Sequence, residues 1–292
     1  MTRRVVVLGD VMLDVIVQPR AAVAPTSDTP ATIRVTRGGS GANLAIALRH
    51  TGHDVIYVGA AGSDAAASVF IDALVDAHVT SRLESFDGPT GTVVSLVASD
   101  GQRSMLTDRG VNSRLSDTFV AAQLVEPFGH LHVSGYLLLD PATRVVGVRA
   151  LERARRHGAS TSVDVCSVEP LREITSPVFL EAAAGASMLF ANEEEAMTLT
   201  AKADVERALD VLGTLFDEVV ITAGARGALS ARGPERFRAS ASEATVVDTT
   251  GAGDAATGAY LGARLNGEVP QAALAEAMLA AARVVSGLGA LG

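Results

Sequence analysis

Short β-branched runs alternate with longer Ala- and Leu-rich segments along almost the whole chain, and this pattern narrows the fold more than any other feature. Residues 5–9, 55–59, 130–133, 160–165, 187–190, 218–222 and 245–247 read as strands. Residues 41–51, 64–77, 116–125, 141–157, 204–216, 251–265 and 270–286 read as helices. Parallel strands need crossover connections, and these usually carry a helix. The alternation therefore predicts an α/β fold, a doubly wound, mostly parallel sheet covered by helices on both faces. With 292 residues, 48% of them hydrophobic, the chain can bury a large core.

Two stretches break the rhythm, at about 13–37 and 90–107. Residues 14–18 and 31–36 have strand character with no helix between them. Residues 92–98 and 103–107 flank Ser99-Asp100-Gly101, and Asp-Gly between two β-rich runs signals a hairpin. We expect these segments to leave the main sheet as a small β lid on a single domain spanning 1–292. Extra edge strands of the main sheet would fit the same pattern. Residues 23–30, with their Pro, Ser, Thr and Asp, read as a loop.

Charge and composition remove several function classes. The formal net charge is −9, which repels nucleic acid and anionic membranes on average, so neither is expected as a partner. The single cysteine, Cys166, allows no intramolecular disulfide and no four-cysteine zinc site. A reducing, cytoplasmic setting suits this composition. Arg3-Arg4 ahead of Val5-Val6-Val7-Leu8 resembles the start of a signal peptide, but Asp10 and Asp14 interrupt the apolar run. No charge-free run approaches the roughly 20 residues that span a bilayer. Lys202, between Ala201 and Ala203, is the only lysine, so Walker A and protein-kinase chemistry are excluded.

The segment Asp248-Thr249-Thr250-Gly251-Ala252-Gly253-Asp254 follows one expected strand and opens an Ala-rich helix. Unpaired N–H groups and the positive dipole end at a helix start attract phosphate. Glycines let the phosphate approach the backbone closely. Asp254, in the first turn, could take a proton from an attacking hydroxyl as the phosphoryl group is transferred. An Asp that merely caps the helix is the plainer alternative.

This heptad resembles the C-terminal signature of the ribokinase-like (PfkB) carbohydrate and nucleoside kinases. By that resemblance Gly251, Ala252 and Gly253 form an anion hole and Asp254 is the catalytic base. The family often has Phe soon after the base, where this chain has Ala255-Ala256. Gly38-Gly39-Ser40-Gly41-Ala42-Asn43 is similar to the family's N-terminal signature, which implies that Gly38, Gly39 and Asn43 contact sugar hydroxyls. It is not Gly-x-Gly-x-x-Gly, so the dinucleotide fingerprint fails and a nicotinamide oxidoreductase is disfavoured. Asp14 matches the family's sugar-binding Asp; Asp10, at the end of the first strand, is a second substrate candidate.

Asn192-Glu193-Glu194-Glu195 resembles the family's Asn-x-x-Glu motif, which implies a nucleotide-binding Asn192 and a Glu195 that holds Mg²⁺ through water. Asp164 is placed near the same water shell. Thr222-Ala223-Gly224-Ala225-Arg226-Gly227 resembles the nucleotide-binding stretch, which assigns Thr222, Gly224 and Gly227 to ATP. In many relatives a monovalent cation lies beside the anion hole; the resemblance gives K⁺ to Asp248, the Thr250 carbonyl and the turn at 286–289. Arg103 and Arg109, in and just after the second lid hairpin, are candidates to touch substrate, with solvated surface charge as the alternative. Met12 stands where ribokinases proper carry Asn, and Val133-Ser134-Gly135-Tyr136 offers no carboxylate where they have Glu. Both departures point away from ribose. The expectation is an ATP-dependent kinase for a hydroxyl of a small sugar or sugar derivative. A nucleoside kinase is the runner-up, a non-catalytic sensor the third reading, and a homodimer through the lid is a further possibility.

Overall fold

The structure is a computed structural model and describes residues 4–98, 103–246 and 249–287. Its strands in chain order are β1 (Arg4–Leu8), β2 (Met12–Pro19), β3 (Ala31–Gly38), β4 (Asp54–Gly62), β5 (Thr80–Phe86), β6 (Gly91–Val97) and β7 (Arg103–Asp108). They continue as β8 (His130–Ser134), β9 (Ser160–Asp164), β10 (Met188–Asn192), β11 (Glu218–Thr222), β12 (Ala228–Arg232) and β13 (Glu235–Ala239). Nine of them form the main sheet in the order β13-β12-β11-β10-β9-β8-β1-β4-β5. Every pairing from β11 to β5 is parallel, and β12 and β13 add antiparallel to one edge.

The expected parallel α/β core is present. β1 lies between β8 and β4 and is buried on both faces. Alternate side chains of a strand point to opposite faces. Val5 and Val7 accordingly join the core that includes the helix Ala252–Leu265, while Val6 and Leu8 join the core on the other face.

The two rhythm-breaking stretches form a separate four-stranded sheet in the order β3-β2-β6-β7. The β6–β7 pair is antiparallel, with Val97 opposite Arg103. The turn expected at Ser99-Asp100-Gly101 lies outside the described residues. Its register sorts the side chains. The rows Thr36–Asp14–Val93–Thr107 and Arg34–Ile16–Ser95–Met105 run across one face. The row Val35–Val15–Val94–Leu106 runs across the other.

Several elements depart from the sequence reading. Thr245 and Val246 are in no strand, and Val247 lies outside the described residues. Thr245 and Val246 are exposed, so their β-branched side chains do not mark burial. Strands β5, β12 and β13 were not expected, nor were the helices Gly135–Leu139, Val168–Ile174 and Ser176–Ala183. The acidic stretch after Asn192 opens the helix Glu193–Thr200, closed at its start by a capping box between Asn192 and Glu195. Among the described residues no helix is long and apolar enough to cross a membrane.

Candidate active site

Two helices bring the glycine-rich motifs together. Ser40–His50 and Ala252–Leu265 pack against each other, because a side chain at Gly258 would run into Ala47 and one at Gly262 into Thr51. The helices therefore approach closely, and their first turns lie side by side. Asp254 in one turn meets Ser40 and Asn43 in the other. Ser40 Oγ donates to Asp254 Oδ1 at 2.7 Å, and Asn43 Nδ2 donates to Oδ2 at 2.8 Å. The Asn43 carbonyl oxygen accepts from Arg37 Nη1 at 2.8 Å.

Asp254 lines a cavity of about 490 Å³ between the two sheets. Asp10, Asp14, Gly39, Asn43, Asn192, Glu195, Thr222, Thr250, Gly251 and Gly253 line it too, so one space gathers residues from all of the motifs. Gly251 has φ 76°, the left-handed backbone that starts the helix Ala252–Leu265 and that glycine adopts without strain. A Cβ on Gly253 would meet nothing within 4 Å, so packing does not demand glycine there.

Other expected residues sit elsewhere. Gly38, Ala252, Gly224 and Gly227 do not line the cavity. A side chain at Gly38 would occupy the Asp14 carboxylate, so this glycine makes room for that group. Gly39 has φ 97°, and its Cβ would lie 2.6 Å from the Asp10 carbonyl oxygen. Gly227 is buried against the backbone of Ala239, and Gly224 is exposed on the surface turn. The Arg103 side chain, Asp248 and residues 288–289 lie outside the described residues.

The aspartates at the end of β1 have separate environments. Asp10 is held by Arg109 through two hydrogen bonds, 2.8 Å from Nε and 2.7 Å from Nη2. Arg109 also reaches Asp140, which accepts from Ser113 Oγ at 2.8 Å. Asp14, among the described residues, has no hydrogen bond or ion pair. Burial and the Asp254 charge push its carboxyl up to about 6, with Arg37 pulling it back. Burial raises Asp254 as well, and the bonds from Asn43 and Ser40 oppose that rise.

A second group of acids faces the strand ends of β9 and β10. Glu195 is buried and accepts the Asn192 backbone N–H at 2.8 Å. Burial pushes its carboxyl up to about 7, against that bond and with help from the Asp254 charge. Asp164 rises well above the carboxylate range through burial and the charges of Glu195 and Asp254. Burial and the Asp164 charge raise the Cys166 thiol, which disfavours its thiolate. Asp14, Asp164, Glu195 and Asp254 all line the cavity, and none is in an ion pair among the described residues. The excess negative charge fits a site completed by a cation. Among the described residues no three His, Cys, Asp or Glu side chains converge as direct metal ligands, so any cation there would rely on water and phosphate oxygens.

Sequence reasoning passed over Arg37, Ser40 as a partner of Asp254, and Asp140. Arg37 had no signal in the sequence beyond its place before Gly38-Gly39.

The model of the pfkB family of carbohydrate kinases matches residues 2–291. The chain belongs to this family. It is therefore a phosphotransferase, a sugar or nucleoside kinase of an ATP-using family. An aminoimidazole riboside kinase from Salmonella typhimurium is 30% identical over 237 residues, 77% of this chain and 72% of that protein. A probable fructokinase-4 from Arabidopsis thaliana is 26% identical over 88% of this chain and 81% of its own length. The crystal structure of an adenosine kinase from Sinorhizobium meliloti superposes with a TM-score of 0.88 at 25% identity, covering 99% of this chain and 95% of that one. That superposition spans nearly the whole chain, main sheet and small sheet together.

Proposed function

We propose that the chain transfers the γ-phosphoryl group of ATP to a hydroxyl of a small sugar or sugar derivative, with Asp254 as the general base. The observation that carries the reading is the Asp254 carboxylate. It opens onto the cavity from the first turn of a glycine-led helix, with one donor fixing each oxygen. A base held in one orientation can take the hydroxyl proton without reorganising. The Gly251 and Gly253 amides would receive the transferred group as an anion hole, whereas the Ala252 N–H donates to the Thr249 carbonyl at 3.3 Å and lies outside the cavity lining. Asp14, without a hydrogen bond or ion pair among the described residues, binds the acceptor hydroxyls; Asp10, neutralised by Arg109, shapes that end of the cavity. Asn192 and Thr222 line the nucleotide side.

A Mg²⁺ ion would neutralise charge on the phosphates, and Glu195 would hold it through water. Asp248 and Thr250 are assigned to a monovalent cation, K⁺. The small sheet acts as a lid: its inner face supplies Asp14, Ile16, Val93, Ser95, Met105 and Thr107 to the cavity wall. A covered site keeps water from competing for the phosphoryl group.

A nucleoside acceptor is the second reading. Ile16, Val93 and Met105 form an apolar wall that a bare polyol does not need, and a base or other substituent at the anomeric carbon would use it. A screen of sugars, sugar acids and nucleosides with MgATP tests both. Phosphorylation of a free sugar supports the first, and of nucleosides alone the second. Asp254→Asn is expected to lower kcat by roughly 10²–10⁴ while acceptor and nucleotide still bind. Near wild-type turnover by that variant would end the assignment of the base.

A further inference from the structure

We propose that Arg37 is a positioning residue for the reacting carboxylate, acting through the side-chain amide of Asn43. The inference rests on the reading of Asp254 as the base. Arg37 is the penultimate residue of β3 and pairs with Leu13, the neighbour of Asp14 in β2. Its Nη1 donates to Asn43 Oδ1, and Asn43 Nδ2 donates to Asp254 Oδ2, each at 2.8 Å. A guanidinium can only donate, and a carboxylate can only accept. An amide between them has one satisfactory orientation: oxygen towards Arg37, NH₂ towards Asp254. Turned over, it would set NH₂ against a cation and oxygen against an anion. Arg37 therefore fixes which end of Asn43 meets the base.

With Ser40 on Oδ1, each oxygen of Asp254 then carries one donor, and the plane of the carboxylate is set. Without Arg37 only Asp254 itself holds the amide in this sense, and the donor to Oδ2 is less firmly fixed. The relay also ties the base to the small sheet, because the strand pair that presents Asp14 to the cavity carries Arg37 as well. Covering the acceptor and aligning the base become one event. Asn43, expected as a sugar ligand, gives one N–H and one oxygen lone pair to this relay and keeps a second of each on the cavity side for the acceptor.

The test combines an acceptor-free measurement with kinetics. In protein carrying ¹³Cγ-labelled aspartate, the Asp254 resonance is identified by its loss in Asp254→Asn, and its titration is followed. Arg37→Leu should raise the apparent pKa of Asp254, because the donor to the ionised form is less firmly fixed. Arg37→Lys should leave it near wild type. Asp14 from β2, Asp164 from β9, Glu195, Cys166 and Tyr136 also face this carboxylate, so the titration is repeated in an Asp14→Asn background. The shift should persist there.

Kinetics use MgATP with D-fructose, D-ribose or adenosine, whichever the wild type turns over fastest. Arg37→Leu should lower kcat about ten- to a hundredfold, the usual scale for a misplaced reacting group, with KM changed far less. Arg37→Leu combined with Asn43→Ala should be no slower than Asn43→Ala alone, because both changes break one relay. An unshifted Asp254 titration in Arg37→Leu, or additive losses in the double variant, overturns the proposal. If Asp254→Asn abolishes turnover while Arg37→Leu does not, the relay falls and the base stands. If Asp254→Asn turns over normally, both fall.

Discussion

Among the described residues the Asp14 carboxylate has no hydrogen bond or ion pair; it is half-buried and beside a second acid, and this has a cost that pH exposes. Its proton affinity is raised in the folded protein, to about 6, from an ordinary value of 3.8. Between those values the folded state holds the proton that the unfolded chain has released. Stability therefore falls as pH rises from about 4 to about 6 and stays lower above that. Asp14→Asn should raise the melting temperature at pH 8 by about 2–4 °C. The gain should shrink below pH 6 and vanish near pH 4, and acceptor binding should weaken. A variant no more stable than wild type at pH 8 would show that Asp14 is not strained. Such a trade of stability for activity is common at binding sites. At this scale the sequence was informative where a motif names the residue type, as for Asp254, Asp14 and Glu195. It was silent on Arg37, because a positioning residue is defined by what it touches: Asn43 lies six residues on and Asp254 more than two hundred.

Among the elements, the strand-helix alternation revealed the parallel core because burial on both faces leaves an unbroken apolar run, as in β1 and β11. The hairpin β12–β13 was missed because Arg232, Glu235, Arg236 and Arg238 interrupt its pattern at an exposed sheet edge. The run 245–247 misled for the opposite reason, Val246 being exposed rather than packed. The pair β8–β9 holds a feature no pattern would disclose. His130 and His132 are fully buried, with His130 between Ser160 and Ser162 and His132 against Ser162. Burial pushes both imidazoles down to about 3, and His132 Nε2 has no hydrogen-bond partner among the described residues. The unfolded chain takes up these protons near pH 6.5, so stability is lost as pH falls from there towards 3. Each histidine should cost about 2 kcal/mol by pH 5, at 1.36 kcal/mol per pH unit. His132→Leu removes one of these liabilities and leaves Ser162 bonded to His130. Urea unfolding should find the variant close to wild type at pH 7.5 and clearly more stable at pH 5. An equal difference at both pH values would mean that His132 is not the group that titrates.

At the scale of the whole molecule, the small sheet carries an apolar row that the described residues leave partly uncovered. On the face of the small sheet turned from the cavity, Val35, Val15, Val94 and Leu106 form a row across all four strands. Val35 is 59% exposed and Leu106 61%, and Ile33 in the neighbouring row is 61% exposed. The sheet also ends in two open strands, β3 and β7. Contiguous apolar surface of this kind usually marks an interface, and open edges invite pairing. A second copy of the chain is the occupant we propose, because a two-fold axis lets one patch cover its own image. Each partner would then brace the sheet that covers the other's acceptor. Sedimentation velocity at micromolar concentration should show a dimer, and Val35→Lys with Leu106→Lys should sediment as a monomer with an unchanged far-ultraviolet spectrum. Because the inner face of that sheet carries Asp14, the monomer should also show a higher KM for the acceptor while its KM for ATP stays within about threefold. A wild type that is monomeric at every concentration would remove the interface. A monomeric variant with unaltered acceptor KM would keep the interface and separate it from catalysis.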